Sequence, residues 1–290
     1  MKDAKSTAIF SAVLAAALYA LSAPLSKLLL QTITPAMLAA LLYLGAGIGV
    51  FAVRRLRRGG GETPLVRADA PYVIGMVALD VAAPILLMLG LAKTTAANAA
   101  LLNNFEIVAT ALIALLVFGE AISRRLWLAI ALVTAASALL SFEGASSLSF
   151  SVGSAFVLLA CVCWGMENNC TRKISGKDPL QIVVVKGFGS GLGALGIALA
   201  RGERLPAFGP LLCALALGFV AYGLSIACYI RAQRTLGAAR TSAYYAIAPF
   251  VGAALSLAIF REALTPLFGA ALLLMLAGAY LAAERAPRAK

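Results

Sequence analysis

The chain has 290 residues, 62% hydrophobic and only 12% charged, with a mean hydropathy of +0.95. A soluble domain usually carries about twice that charged share, so a water-facing globule, a disordered chain and a secreted disulfide scaffold are excluded. The 24 basic residues outnumber the 12 acidic ones for a net +12, and there is no histidine. The basic residues stand in short clusters between long apolar runs, the pattern of membrane orientation signals, and not on the exposed basic face that nucleic acid requires.

An apolar helix needs about 20 residues to cross the hydrocarbon, and ten runs qualify. In chain order they are roughly 7–30, 35–53, 70–91, 95–118 and 125–142, then 150–172, 179–200, 210–231, 239–260 and 266–283. The first is too long for the core of a signal peptide and is read as a span, not a cleaved leader. Short loops are all that remain, with no room for a soluble catalytic domain. With the N-terminus placed in the cytoplasm, 18 of the 24 basic residues fall inside, five fall outside, and Lys186 lies within span seven. The positive-inside bias therefore puts both termini in the cytoplasm. The expected fold is an all-α membrane protein of ten transmembrane helices.

The chain also matches itself at an offset of about half its length. FGEAISRRLWLAIALVTAASALL (118–140) lies over FREALTPLFGAALLLMLAGAYL (260–281), setting Glu120 on Glu262. YALSAPLSK (19–27) lies over WGMENNCTR (164–172), setting Tyr19 on Trp164 and Lys27 on Arg172. Five spans per half is an odd number, so the halves, 1–145 and 146–290, enter the membrane from opposite sides. An inverted 5+5 repeat is a carrier architecture, with its site expected between the halves near the midplane.

Each half ends in Phe-x-Glu just before its last span. With RTLGAARTSAYYAIAPFVGAALSLAIFREAL (234–264), these features resemble the drug/metabolite transporter superfamily, specifically its EamA-type ten-helix carriers. The first half, 93–121, matches less well. The resemblance implies a carrier that opens outward and inward and exports small metabolites, often amino acids or amines. One departure stands out: opposite Pro249 of the second half, the first half has Ile107, preceded by Glu106.

Ionisable groups inside a bilayer are costly and face a cavity or a partner. Four lie well inside spans: Asp80, Glu106, Glu167 and Lys186. Trp164, Glu167, Asn168 and Thr171 share one helical stripe, and Asn103, Glu106 and Thr110 share another. Tyr19, Ser22 and Ser26 are the repeat mates of the first stripe, and Tyr222, Tyr229, Tyr244 and Tyr245 add phenols from spans eight and nine. Carboxylates walled by aromatic rings suit an organic cation or amine through direct attraction and cation–π contact. The expected substrate residues are Glu106, Glu167, Trp164, Asn168, Asn103, Tyr19, Tyr222 and Tyr245. Lys186 pairs with Asp80 or with Glu106, and the sequence leaves both open. An unpaired acid is a candidate proton carrier, since no histidine is present for that work.

The functional expectation is a secondary carrier in a bacterial cytoplasmic (inner) membrane, working by alternating access as a proton-coupled exporter of an amine, an organic cation or an amino acid. The alternatives are an exporter of anionic or zwitterionic metabolites using Lys186, and a lipid-processing or structural membrane protein. The expected partners are a small-molecule substrate, protons and the lipid bilayer, with the chain as a monomer or homodimer. No cofactor, metal or nucleic acid is expected. Cys161, Cys163, Cys170, Cys213 and Cys228 are read as packing residues. The apparent G-x-G-x-x-G at 191–196 lies inside an apolar span, where Gly187, Gly189, Gly191 and Gly193, like Gly45 and Gly49, suit close helix packing or a gate. Pro24 and Pro84 are expected to bend spans one and three.

Overall fold

A long apolar run in lipid must satisfy its backbone polar groups within itself, and helix is the solution open to a single segment. The computed structural model describes residues 2–56, 62–119, 122–141, 151–236, 244–261 and 264–282, and every regular element among them is helical. In chain order these are α1 (Lys2–Ala20), α2 (Ser22–Leu29), α3 (Pro35–Leu56), α4 (Ala70–Lys93), α5 (Ala96–Leu102), α6 (Phe105–Phe118) and α7 (Arg124–Ser141). They continue with α8 (Val152–Ile174), α9 (Pro179–Ala200), α10 (Phe208–Leu217), a π-helical segment (Gly218–Leu224), α11 (Ser225–Leu236), α12 (Ala248–Phe260) and α13 (Pro266–Ala282). Helix starts carry the expected chemistry. Thr95 caps α5 by accepting from the Asn98 N–H at 3.1 Å, and Asp178 caps α9 by accepting from the Leu180 N–H at 2.9 Å.

Seven helical stretches among the described residues are long and apolar enough to cross a membrane, and α12 and α13 are shorter apolar helices. This is a multi-pass membrane protein. Helix α8 runs 23 residues but falls outside those seven, because Glu167, Asn168, Asn169, Arg172 and Lys173 crowd its second half. Glu120 and Glu262, which the repeat sets on one another, lie outside the described residues.

Spans one and four, read from sequence as continuous, are each interrupted. The first breaks at Leu21, between α1 and α2. Pro24 has no N–H to offer the Ala20 carbonyl four residues earlier. Pro84 withholds a donor from the Asp80 carbonyl in the same way, and Pro249 from that of Tyr245, though α4 stays helical through Pro84. Span four breaks at Asn103–Asn104 without a proline. There Glu106 N and Ile107 N donate to Asn103 O and Asn104 O at 3.1 Å each, three residues back. Asn104 Nδ2 donates to Leu101 O at 3.0 Å, so its amide competes with the helix for a backbone carbonyl.

Helix α3 is central. About two thirds of its apolar window (67%) is buried within the protein, against 39–44% for the other six stretches. It packs along α9 and also touches the π segment, α10 and α4. Where α3 crosses α9, glycine meets glycine: a Cβ on Gly187 would lie 2.4 Å from the Gly47 nitrogen. Gly45 of α3 meets the backbone of Leu215 on α10 in the same way, and Gly218 of the π segment meets that of Leu42 on α3. The other long pairings are α4 with α8, α7 with α13, α1 with α11, α6 with α8, and α5 with α12. Acids fasten both ends of the α3–α9 pair. Glu203, just past α9, accepts from Thr34 Oγ1 at 2.5 Å and from the Met37 N–H at 2.8 Å. At the other end, Arg54 of α3 donates to Asp178 at 3.1 Å.

Candidate functional site

Four helices bring one buried charge cluster together. Asp80 projects from α4 with no exposed surface, Glu167 from α8 at 2% exposure, and Lys186 from α9 at 9%. Lys186 Nζ stands 3.0 Å from Asp80 Oδ2 and 3.1 Å from Glu167 Oε1. Asp80 Oδ1 accepts two further hydrogen bonds, from the Tyr43 hydroxyl of α3 at 3.1 Å and from the Trp164 indole N–H of α8 at 3.2 Å. Glu167 also accepts from the Thr171 hydroxyl one turn along α8. Of the two pairings the sequence leaves open for Lys186, the structure makes that with Asp80 and adds Glu167, while Glu106 takes a different partner. Two carboxylates around one ammonium leave the cluster one negative charge in excess.

Glu106 occupies the first turn of α6. Its Oε1 accepts from Asn168 Nδ2 at 2.6 Å, and the same amide reaches Thr110 Oγ1 at 3.4 Å. Asn169 Nδ2 donates to Thr110 O at 3.3 Å and to Gly165 O at 2.8 Å. The polar stripe of α8 thus serves two neighbours. Trp164 and Glu167 turn to the Asp80–Lys186 cluster, and Asn168 and Asn169 turn to α6.

The phenols form a continuous chain across helices. Tyr43 and Tyr222 rings are 5.4 Å apart, Tyr222 and Tyr19 5.8 Å, Tyr19 and Tyr245 5.8 Å, and Tyr245 and Tyr229 5.0 Å. Tyr222 sits in the π segment, a local widening that recurs at functional positions in helices, and its hydroxyl lies 2.7 Å from Ser22 Oγ. Tyr244 is exposed and stands apart from this chain of ring contacts. Beside the phenols is a small cavity, about 10 Å³, lined by Tyr19, Ala20, Ser22, Ala23, Ala100, Asn103, Ala248 and Pro249. That is room for about one water molecule. Its walls come from three places where helical hydrogen bonding is interrupted: the α1–α2 junction, the α5–α6 junction and the start of α12.

Sequence reasoning missed Tyr43. Its one available signal was a lone phenol inside the apolar run of α3. Asn103 reaches the cavity wall, and Tyr19, Tyr222 and Tyr245 come together; Glu106 and Glu167, though both on polar stripes, have different immediate partners.

The sequence matches the EamA-like transporter family twice, over residues 6–142 and 151–283. The chain belongs to the EamA-like transporter family. It is 28% identical over 295 residues to a protein of Methanothermobacter thermautotrophicus (strain ATCC 29096 / DSM 1053 / JCM 10044 / NBRC 100330 / Delta H) described as an uncharacterized transporter, covering 93% of this chain and 84% of that one. A protein of known crystal structure superposes with a TM-score of 0.67 at 18% identity, over 99% of this chain and all of the other. At that identity the likeness is one of fold. An EamA-like transporter with this interior has buried acids, a bound lysine and a wall of phenols from which a cargo site can be built.

Proposed function

We propose that this EamA-like transporter is a proton-coupled secondary carrier in the cytoplasmic membrane that exports a small amine, organic cation or amino acid. One observation carries the reading. Glu106 lies one turn beyond Asn103, which together with Tyr19 lines a small cavity, and its carboxylate has a neutral amide, Asn168, as its hydrogen-bond partner. A cation entering there gains a carboxylate and aromatic faces at low dielectric. Asn168 and Asn103 supply hydrogen bonding, and Tyr19, Tyr222 and Tyr245 supply the walls.

The alternative of an anionic cargo held by Lys186 is less favoured, because that ammonium already carries two carboxylates. An amino acid remains accommodated, with its ammonium at Glu106.

Alternating access is supported by the helix pairings. Number the ten expected spans in chain order. The main pairings between the halves then join one with eight and nine, two with seven and eight, three with six and seven, four with six and nine, and five with ten. Exchanging the two five-span halves leaves that set of pairs unchanged, as an inverted 5+5 repeat requires. The repeat alignment also sets Ser22 opposite Glu167, and each makes a buried contact with the other half of the chain or within the charge cluster. With both termini in the cytoplasm, the halves rock about a site that opens to one side at a time.

The test is uptake into proteoliposomes under an imposed pH gradient, with tetraethylammonium, primary amines and amino acids as cargo. Saturable, gradient-driven uptake that Glu106→Gln abolishes is the expected result. Equal transport by wild type and Glu106→Gln removes the carboxylate from the mechanism.

A further inference from the structure

Asp80 and Glu167, the two buried acids bound to Lys186, are held very differently. Asp80 is fully buried and has three partners: Lys186 as an ion pair at Oδ2, and Tyr43 and Trp164, which together donate to Oδ1. Those partners arrive from three separate helices, so no single helix movement strips the carboxylate bare. Glu167 has Lys186 from another helix, and its second donor, Thr171, travels with it on α8. A swing of the flexible Lys186 side chain toward Asp80 Oδ2 therefore removes Glu167's one inter-helix ammonium while Asp80 keeps Lys186. The groups facing Glu167 are Lys186 from α9, Asp80 from α4 and the like charge of Glu106 from α6, with Tyr43 of α3 behind Asp80.

We infer that Asp80 is the fixed counter-ion of Lys186, a positioning residue, while Glu167 is an exchange site at which the Lys186 ammonium and a proton replace each other during the cycle. Lys186 keeps its own proton throughout. When its ammonium swings away onto Asp80 alone, a proton from water binds a Glu167 oxygen. When it returns, that proton leaves to water and the ion pair reforms. The charge on Glu167 is then met by either the lysine or the proton, so Glu167 is never left bare in a low-dielectric interior. In this state the lysine is docked.

This inference rests on the carrier reading, and two measurements separate its fate from that reading's. The first needs no cargo: melting of the full chain in detergent, as wild type, Asp80→Asn and Glu167→Gln. Asp80→Asn leaves the docked ammonium without its fixed partner and sets a donor amide against it, and melting falls by roughly 10 °C or folded protein is lost. Glu167→Gln removes the surplus charge, leaves Lys186–Asp80 neutral as a pair, and holds or raises the melting temperature. In a Trp127→Phe background, emission from Trp164 also stays unchanged by Glu167→Gln. Equal loss in both variants, or a harmless Asp80→Asn, overturns the assignment.

The second measurement uses proteoliposomes with tetraethylammonium, which has no proton of its own to shed. Glu167→Gln retains counterflow exchange of the cation but loses accumulation driven by a pH gradient. Accumulation that survives in Glu167→Gln overturns the exchange role. Absence of counterflow in wild type overturns the carrier reading for organic cations, and the melting comparison still decides which acid is fixed.

Discussion

Asn168 Nδ2 donates to Glu106 Oε1 at 2.6 Å, joining α8 to the first turn of α6. A single neutral amide thereby orients a carboxylate that lies one helical turn from Asn103 of the cavity wall. The bond to an ionised acceptor is charge-assisted, worth about 1.5–3 kcal/mol. Asn168→Ala leaves Glu106 misaligned, and tetraethylammonium binding weakens by roughly ten-fold or more. Asn168→Asp, which sets a second acid against the first, is worse still. Isothermal titration of the purified variants checks both, and unchanged affinity in Asn168→Ala removes the amide from the site.

Tyr222 and Ser22 share a buried hydroxyl pair at 2.7 Å. Truncating either partner strands the other, at about 1–3 kcal/mol. Tyr222→Phe and Ser22→Ala each lower the melting temperature, and the double variant loses less than the two singles together. Strict additivity in a double-mutant cycle means that the two oxygens do not interact.

The α3–α9 crossing has no room for a side chain, since a Cβ on Gly187 meets the Gly47 backbone. Backbone cannot swing aside as a flexible side chain can, so Gly187→Ala forces the helices apart at about 1–3 kcal/mol or more. Gly196, which would meet nothing within 4 Å, is the control: Gly196→Ala leaves stability unchanged or improves it slightly through helix propensity. Thermal melts of the two variants side by side read this directly.

Glu203 satisfies the start of α3 from a different loop, through Thr34 and the Met37 N–H. Glu203→Ala removes an N-terminal cap, at about 0.5–2 kcal/mol. Hydrogen exchange accelerates in the first turn of α3 and stays unchanged at the opposite end, where Arg54 and Asp178 hold the pair.

Much of this interior was legible from the chain alone. A long apolar run marks a span, and a charge inside it marks a partner, so Asp80, Glu106, Glu167 and Lys186 identified themselves. Pro24 marked a bend because a missing N–H is a local fact. The pairings were less legible, since they depend on how each helix is rotated about its axis and how neighbours cross. Periodicity places Trp164, Glu167 and Asn168 on one stripe, but a stripe is wide enough to face two neighbours. That is why Glu167 meets α9 while Asn168 meets α6. Tyr43 escaped notice for the same reason: nothing around it in sequence tells that Asp80 lies opposite. The Asn103–Asn104 break was hidden because asparagine interrupts a helix only when its amide finds a nearby carbonyl.

Helix α3 and helix α9 touch backbone to backbone at mid-length and are tied by acids at both ends. A joint clamped at three points neither slides nor splays, so these two helices travel as one beam through any change of shape. Compliance is then left to the segments where helical hydrogen bonding is already interrupted, near Leu21, at Asn103–Asn104 and ahead of Pro249. Those segments line the cavity, so the parts free to bend are also the parts that would touch a cargo.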